Sequence, residues 1–152
     1  MKRAIVFVAA AGGAVLLSAG SAFAASGPQS FTLTRGGGQQ QTSLVGSGVI
    51  HGQGTDHVIS NNTDRFKFSQ GSVLVNHAPT TQQQGPQVGC VTFYRENGTY
   101  QLAGGTGAYT GAGGGGTYQL QDVFFAKPTA NGCSNAGHDL LVIHATGTTT
   151  LP

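Results

Sequence analysis

No stretch of ten or more residues between positions 25 and 152 repeats apolar side chains at i, i+3, i+4 and i+7, the spacing an amphipathic helix needs to bury one face. What recurs is short apolar/polar alternation bounded by Gly, Asn and Pro, which sorts side chains onto the two faces of an extended backbone. Phe31–Thr34, Val49–Ser60, Asp64–Phe68, Ser72–His77, Val88–Arg95, Thr99–Ala103, Thr117–Ala126 and Asp139–Thr150 read as strands, with Leu44–Gly46 as an extra one. Thr, Val, Phe and Tyr dominate them, residues that fit a pleated, half-buried surface. Eight or nine such strands in a chain of 152 residues mean a single all-β domain, a sandwich or a barrel.

The connections carry information of their own. Arg35–Thr42 (RGGGQQQT) and Pro79–Gln87 (PTTQQQGPQ) are polar and low in complexity, so they read as exposed loops. Lys127–Gly137 reads as a third loop, pinned by Cys133, while Cys90 falls on a strand. The chain has only these two cysteines. In an oxidising compartment they are best read as one disulfide with a stabilising role, and they lack the C-x-x-C spacing of a metal site. A short repeat is more specific: Gly98-Thr99-Tyr100-Gln101-Leu102 recurs as Gly116-Thr117-Tyr118-Gln119-Leu120. The glycine-rich stretch between the copies suits a sharp connection joining two similar strands.

That stretch is not a phosphate cradle. Thr110 stands where the dinucleotide fingerprint needs Gly, no helix pattern follows, and no G-K-[ST] occurs. Gly104-Gly105-Thr106-Gly107-Ala108-Tyr109-Thr110-Gly111-Ala112-Gly113 instead resembles the G-G-T-G-x-[FY]-x-G-A-x-G stretch of the allene oxide cyclase-like and dirigent-like β-barrels. The layout is similar too, with Gly71-Ser72-Val73-Leu74-Val75-Asn76-His77 standing where those families carry a G-x-x-x-H strand end before the motif. The resemblance implies a single antiparallel eight-stranded β-barrel with an apolar cavity, often assembled as a homotrimer. It further implies chemistry, where there is any, done by confining a small hydrophobic molecule without cofactor or metal. The motif is structural in those families, so it brings a fold and no catalytic residue.

Charge points the same way. Only 8% of residues are charged and the formal net charge is +2, but Lys2 and Arg3 belong to an export signal. Met1-Lys2-Arg3 is its basic start, Ala4–Leu17 its apolar core, and Ala22-Phe23-Ala24 its small-x-small cleavage site. Residues 1–24 are therefore expected to be a signal peptide and 25–152 a secreted barrel, with no membrane attachment after cleavage. Five basic and five acidic residues then remain. A neutral chain without a basic stripe is no nucleic-acid binder, and it has little electrostatic means of steering a charged partner.

Strand parity selects the residues that can carry chemistry. Asp122 shares a face with Tyr118, Leu120 and Phe124. A carboxylate there has either a raised pKa suited to proton transfer or an ion-pair partner, Arg65 or Arg95. His77 ends the stripe of Val73 and Val75, and His144 ends that of Leu140 and Val142, where a cavity mouth would lie. Tyr94 lines a cavity or packs against its neighbours. No Ser-His-Asp order, G-x-S-x-G elbow or HExxH is present, so a hydrolase and a zinc site have no support. Two functions follow: a secreted barrel that binds a small apolar molecule or serves an extracellular structural role, and a cofactor-independent cyclase or isomerase using Asp122 or a histidine. A void of roughly 300 Å³ separates them from a purely structural role, because both small-molecule readings need one.

Overall fold

A computed structural model describes residues 24–152, so the expected signal peptide lies, but for Ala24, outside the described residues. The chain is a closed antiparallel barrel of eight strands in sequence order. These are β1 Ala25–Arg35, β2 Thr42–Gly48, β3 Gly52–Ser60, β4 Thr63–Phe68, β5 Gly71–Gln84, β6 Val91–Gly107, β7 Gly113–Thr129 and β8 Gly132–Leu151. Closure comes from β1 against β8, paired from Ala25↔Leu151 through Arg35↔Leu141. The ring of neighbour-to-neighbour pairings leaves no exposed sheet edge.

Several expectations are corrected by the continuity of the ladder. Leu44–Gly46 is the middle of a full strand, β2, while Val88–Arg95, from Val91 onward, and Thr99–Ala103 are two parts of one, β6. Gly98 does not end that strand because its missing side chain is what the packing requires. A Cβ there would sit 2.5 Å from the Tyr118 ring. The polar run Pro79–Gln84 continues β5 and pairs with β6 as far as Gln84↔Tyr94. Lys127–Gly137 is no loop either: β7 and β8 run on to a tight hairpin whose last pair is Thr129↔Gly132. Cys90 precedes β6 instead of lying on it, and Cys133 is the second residue of β8. The two are disulfide-bonded with Cα atoms 5.4 Å apart, so the bond ties the entry of β6 to the β7–β8 hairpin.

Inward parity is set by the buried apolar residues. Phe31, Leu33, Leu44, Phe66, Val73, Val75, Tyr100, Leu102, Tyr118 and Ala145 fill the centre. Phe31 packs edge-on against Phe66 and Tyr100 at centroid distances of 5.2 and 6.2 Å. One end of the barrel is plugged. Ile50 is fully buried there, and its backbone N–H and C=O are both satisfied by the buried Gln29 amide, at 2.7 and 2.8 Å. The β6–β7 connection folds over the same end, with Tyr109 buried against Phe68. This turn and the strand ends beside it contain the motif that carries the family resemblance. At Gly107 (φ 61°) a Cβ would meet the Gln70 carbonyl oxygen at 2.3 Å, so both the conformation and the close approach require glycine.

Candidate functional site

The repeat fixes the centre of the site. Its two copies pair with each other in antiparallel register, Gly98↔Tyr118 and Tyr100↔Gly116, so each tyrosine faces the other copy's glycine. Both rings point inward and are buried. Continuing β6 from Tyr100 past Gly98 gives Glu96 and Tyr94 on the same inward face, opposite Leu120 and Asp122 of β7.

Glu96 is only 8% exposed. Its Oε1 accepts from the Tyr118 hydroxyl at 2.6 Å, and its Oε2 accepts from the Tyr94 hydroxyl at 2.7 Å and from Gln82 Nε2 at 2.8 Å. Burial pushes this carboxyl up, but the three hydrogen bonds and the nearby His77 outweigh it, so Glu96 is held below the ordinary range. The tyrosines respond in the other direction. Burial and the bond to Glu96 push Tyr94 up to about 12 and raise Tyr118 as well. His77 lies beside them, its ring edge-on to Tyr118 at 5.9 Å and its Nε2 3.2 Å from Asp64 Oδ2.

Glu96, Tyr118, His77 and Asp64 border a cavity of about 60 Å³ in the barrel, while Tyr94 does not line it. Phe31, Phe66, Tyr100 and Ala145 form much of its apolar wall, and Asp64, His77 and Glu96 supply its polar part. The void is far below the 300 Å³ or more of an ordinary ligand pocket. It takes a few water molecules or the end of a small molecule.

Acid groups gather around this end of the lumen. The register places Asp56 opposite the buried Thr42 and Phe66, Asp64 opposite the buried Val75, and Asp139 opposite Phe124. With Glu96 and Asp122, all five acidic residues of the chain thus sit on inward parity. Arg35, hydrogen-bonded to Asp139, is the one Lys or Arg among the described residues that joins them; Arg65, Lys67, Arg95 and Lys127 are exposed. Asp56 is raised to about 7, first by burial and then by the charge of Asp64, against the pull of the His57 N–H and Arg35. Burial also raises Asp64 and Asp122, the latter helped by Asp139.

Of the residues singled out from sequence, Tyr94, Asp122 and His77 face the interior. Tyr94 binds Glu96. Asp122 has Arg35, not Arg65 or Arg95, as its nearby cation, and it does not line the cavity. His144 does not join them. It is exposed on the outer wall, with its Nδ1 3.3 Å from Thr32 Oγ1. The stripe of Leu140 and Val142 that it ends is the outside of the barrel, both residues being among the exposed apolar ones. Parity groups residues correctly but does not say which face is inside. Glu96, Asp64 and Tyr118 were not singled out as a set. The usable signal was that Glu96 keeps parity with Tyr94, Tyr100 and Leu102, once Val91–Gly107 is taken as one strand. Neither a protein-family model, a curated protein nor a solved structure matches this chain.

Proposed function

We propose that this protein is a secreted, non-catalytic β-barrel of the allene oxide cyclase-like and dirigent-like kind, with a structural role outside the cell as a homotrimer. The observation that carries this reading is the filled interior: apolar side chains occupy the barrel centre and leave about 60 Å³, too little for a small apolar ligand of ordinary size. Secretion is supported by the disulfide between Cys90 and Cys133, a bond that persists in oxidising compartments. Among the described residues no helix is long and apolar enough to cross a membrane. Self-association is supported by the outer wall, where Phe93 and Leu140 flank Val123 in one cross-strand row. Phe93, Leu140 and neighbouring Val142 are 44%, 47% and 37% exposed, an apolar patch of the kind that marks an interface.

Native mass spectrometry of the protein taken from its own culture medium tests this. The expected spectrum is a trimer of chains beginning at Ala25, with no hydrophobic compound carried along. A co-purifying apolar molecule would sink the structural reading in favour of a carrier. The alternative, a cofactor-independent cyclase or isomerase, draws support from the Asp64–His77 pair beside the cavity. The same small volume weighs against it.

A further inference from the structure

We propose that the polar end of the barrel lumen is a binding site for a small organic ammonium ion, a short alkylamine or the amino end of a longer one. Three features meet at one cavity. Asp64 and Glu96 both border it together with His77, whose Nε2 lies 3.2 Å from Asp64 Oδ2, and among the described residues no Lys or Arg does. Tyr100, only 4% exposed, also lines it, yet its hydroxyl finds no hydrogen-bond partner among the described residues. A buried hydroxyl left unpaired costs free energy that a ligand donor would recover. The remaining wall includes the rings of Phe31, Phe66 and Tyr118.

An ammonium group suits this set. It carries one positive charge and three donors, and the cavity offers two carboxylates and a hydroxyl oxygen as acceptors. The aromatic walls favour a cation through their ring quadrupoles, and they favour the alkyl carbons by burial. About 60 Å³ takes the head of such a molecule while its chain runs out of the lumen. An anion would face carboxylates, and a neutral alcohol would bring them no opposite charge. A metal ion fits less well. Hard cations need six or more oxygens, and among the described residues no group of three or more His, Cys, Asp or Glu is placed to hold one.

Titration of the intact secreted protein with n-butylammonium chloride at low salt, followed by amide and tyrosine NMR shifts, tests the proposal, with n-butanol and calcium chloride as comparison probes. Saturable shifts at Tyr100, Tyr118 and Leu120 are expected, with butylammonium binding at least about tenfold tighter than butanol. Asp64→Asn should weaken the ammonium by about tenfold or more, and Tyr100→Phe by roughly threefold to tenfold, while butanol binding stays as it was. Equal binding of butanol and butylammonium, or unchanged ammonium binding in folded Tyr100→Phe and Asp64→Asn, would overturn it. So would calcium displacing the amine at lower concentration than the amine itself requires. Should Asp64→Asn not fold, Tyr100→Phe and the butanol comparison still decide.

Discussion

Glu96 shows how one buried charge is kept in a barrel that is otherwise apolar at its centre. Two tyrosines and a glutamine donate to it, and each donor comes from an inward position that the ladder fixes independently. Removing the Tyr118 hydroxyl by Tyr118→Phe leaves the ring in place and takes away the shortest of these bonds. Hydrogen bonds to charged groups are worth about 1.5–3 kcal/mol, so urea unfolding should show a loss in that range. NMR titration of Glu96 should show its carboxyl rising. An unchanged midpoint together with an unchanged Glu96 titration would mean that the bond holds nothing. Residue types and parity group Asp122 and His77 with apolar stripes that do face inward, and leave Tyr94 open between a cavity and packing. They could not place His144, because Leu140, Val142 and His144 alternate as regularly on the outer wall as Leu141, Ile143 and Ala145 do on the inner one.

Strand β6 and its partner β7 show why some boundaries were legible and others were not. The repeat Gly98–Leu102 and Gly116–Leu120 pointed to two similar strands joined by a glycine-rich turn, and those strands are neighbours in antiparallel register. What the pattern concealed was continuity, because a glycine in mid-strand looks the same in sequence as one that ends a strand. Gly98 is the first kind, with the Ala78 carbonyl oxygen 2.4 Å and the Tyr118 ring 2.5 Å from where a Cβ would stand. Gly98→Ala should therefore cost about 1–3 kcal/mol by overpacking and disturb the Tyr118 ring, read by urea unfolding and by the ring's NMR signals. The disulfide acts at the far end of the same element. Its sequence separation of 43 corresponds to about 4 kcal/mol on the chain-entropy view. Replacing both cysteines by serine should lower stability by up to that amount, with amide exchange rising first between Ala126 and Gly137. A purely uniform rise would show that the bond does not fasten the hairpin locally.

Across the whole molecule, a nearly neutral sequence conceals a strong separation of charge, with every carboxylate inside and the described Lys and Arg outside except Arg35. Composition could not reveal this, since closing the barrel is what sorts the two signs. The separation fixes how stability should follow pH. Asp56 rises from 3.8 to about 7 on folding, so the folded chain keeps a proton that the unfolded chain has released. Its contribution is complete below about pH 4 and is lost as pH climbs through about 7. Glu96 is lowered from 4.5, so its contribution is present above that value and is lost as pH falls through the folded one. Opposite slopes on either side require a maximum between them. At low salt the melting temperature should peak at about pH 4–5 and decline by several degrees towards about pH 7, levelling off above it. Asp56→Asn, which cannot ionise, should make the decline on the alkaline side shallower, leaving the share of Asp64 and Asp122, which burial also raises, and should leave the acid side, governed by Glu96, unchanged. A melting temperature that climbs steadily from about pH 5 to about pH 7, or an alkaline decline as steep in Asp56→Asn as in the parent chain, would show that Asp56 does not hold its proton in the folded barrel.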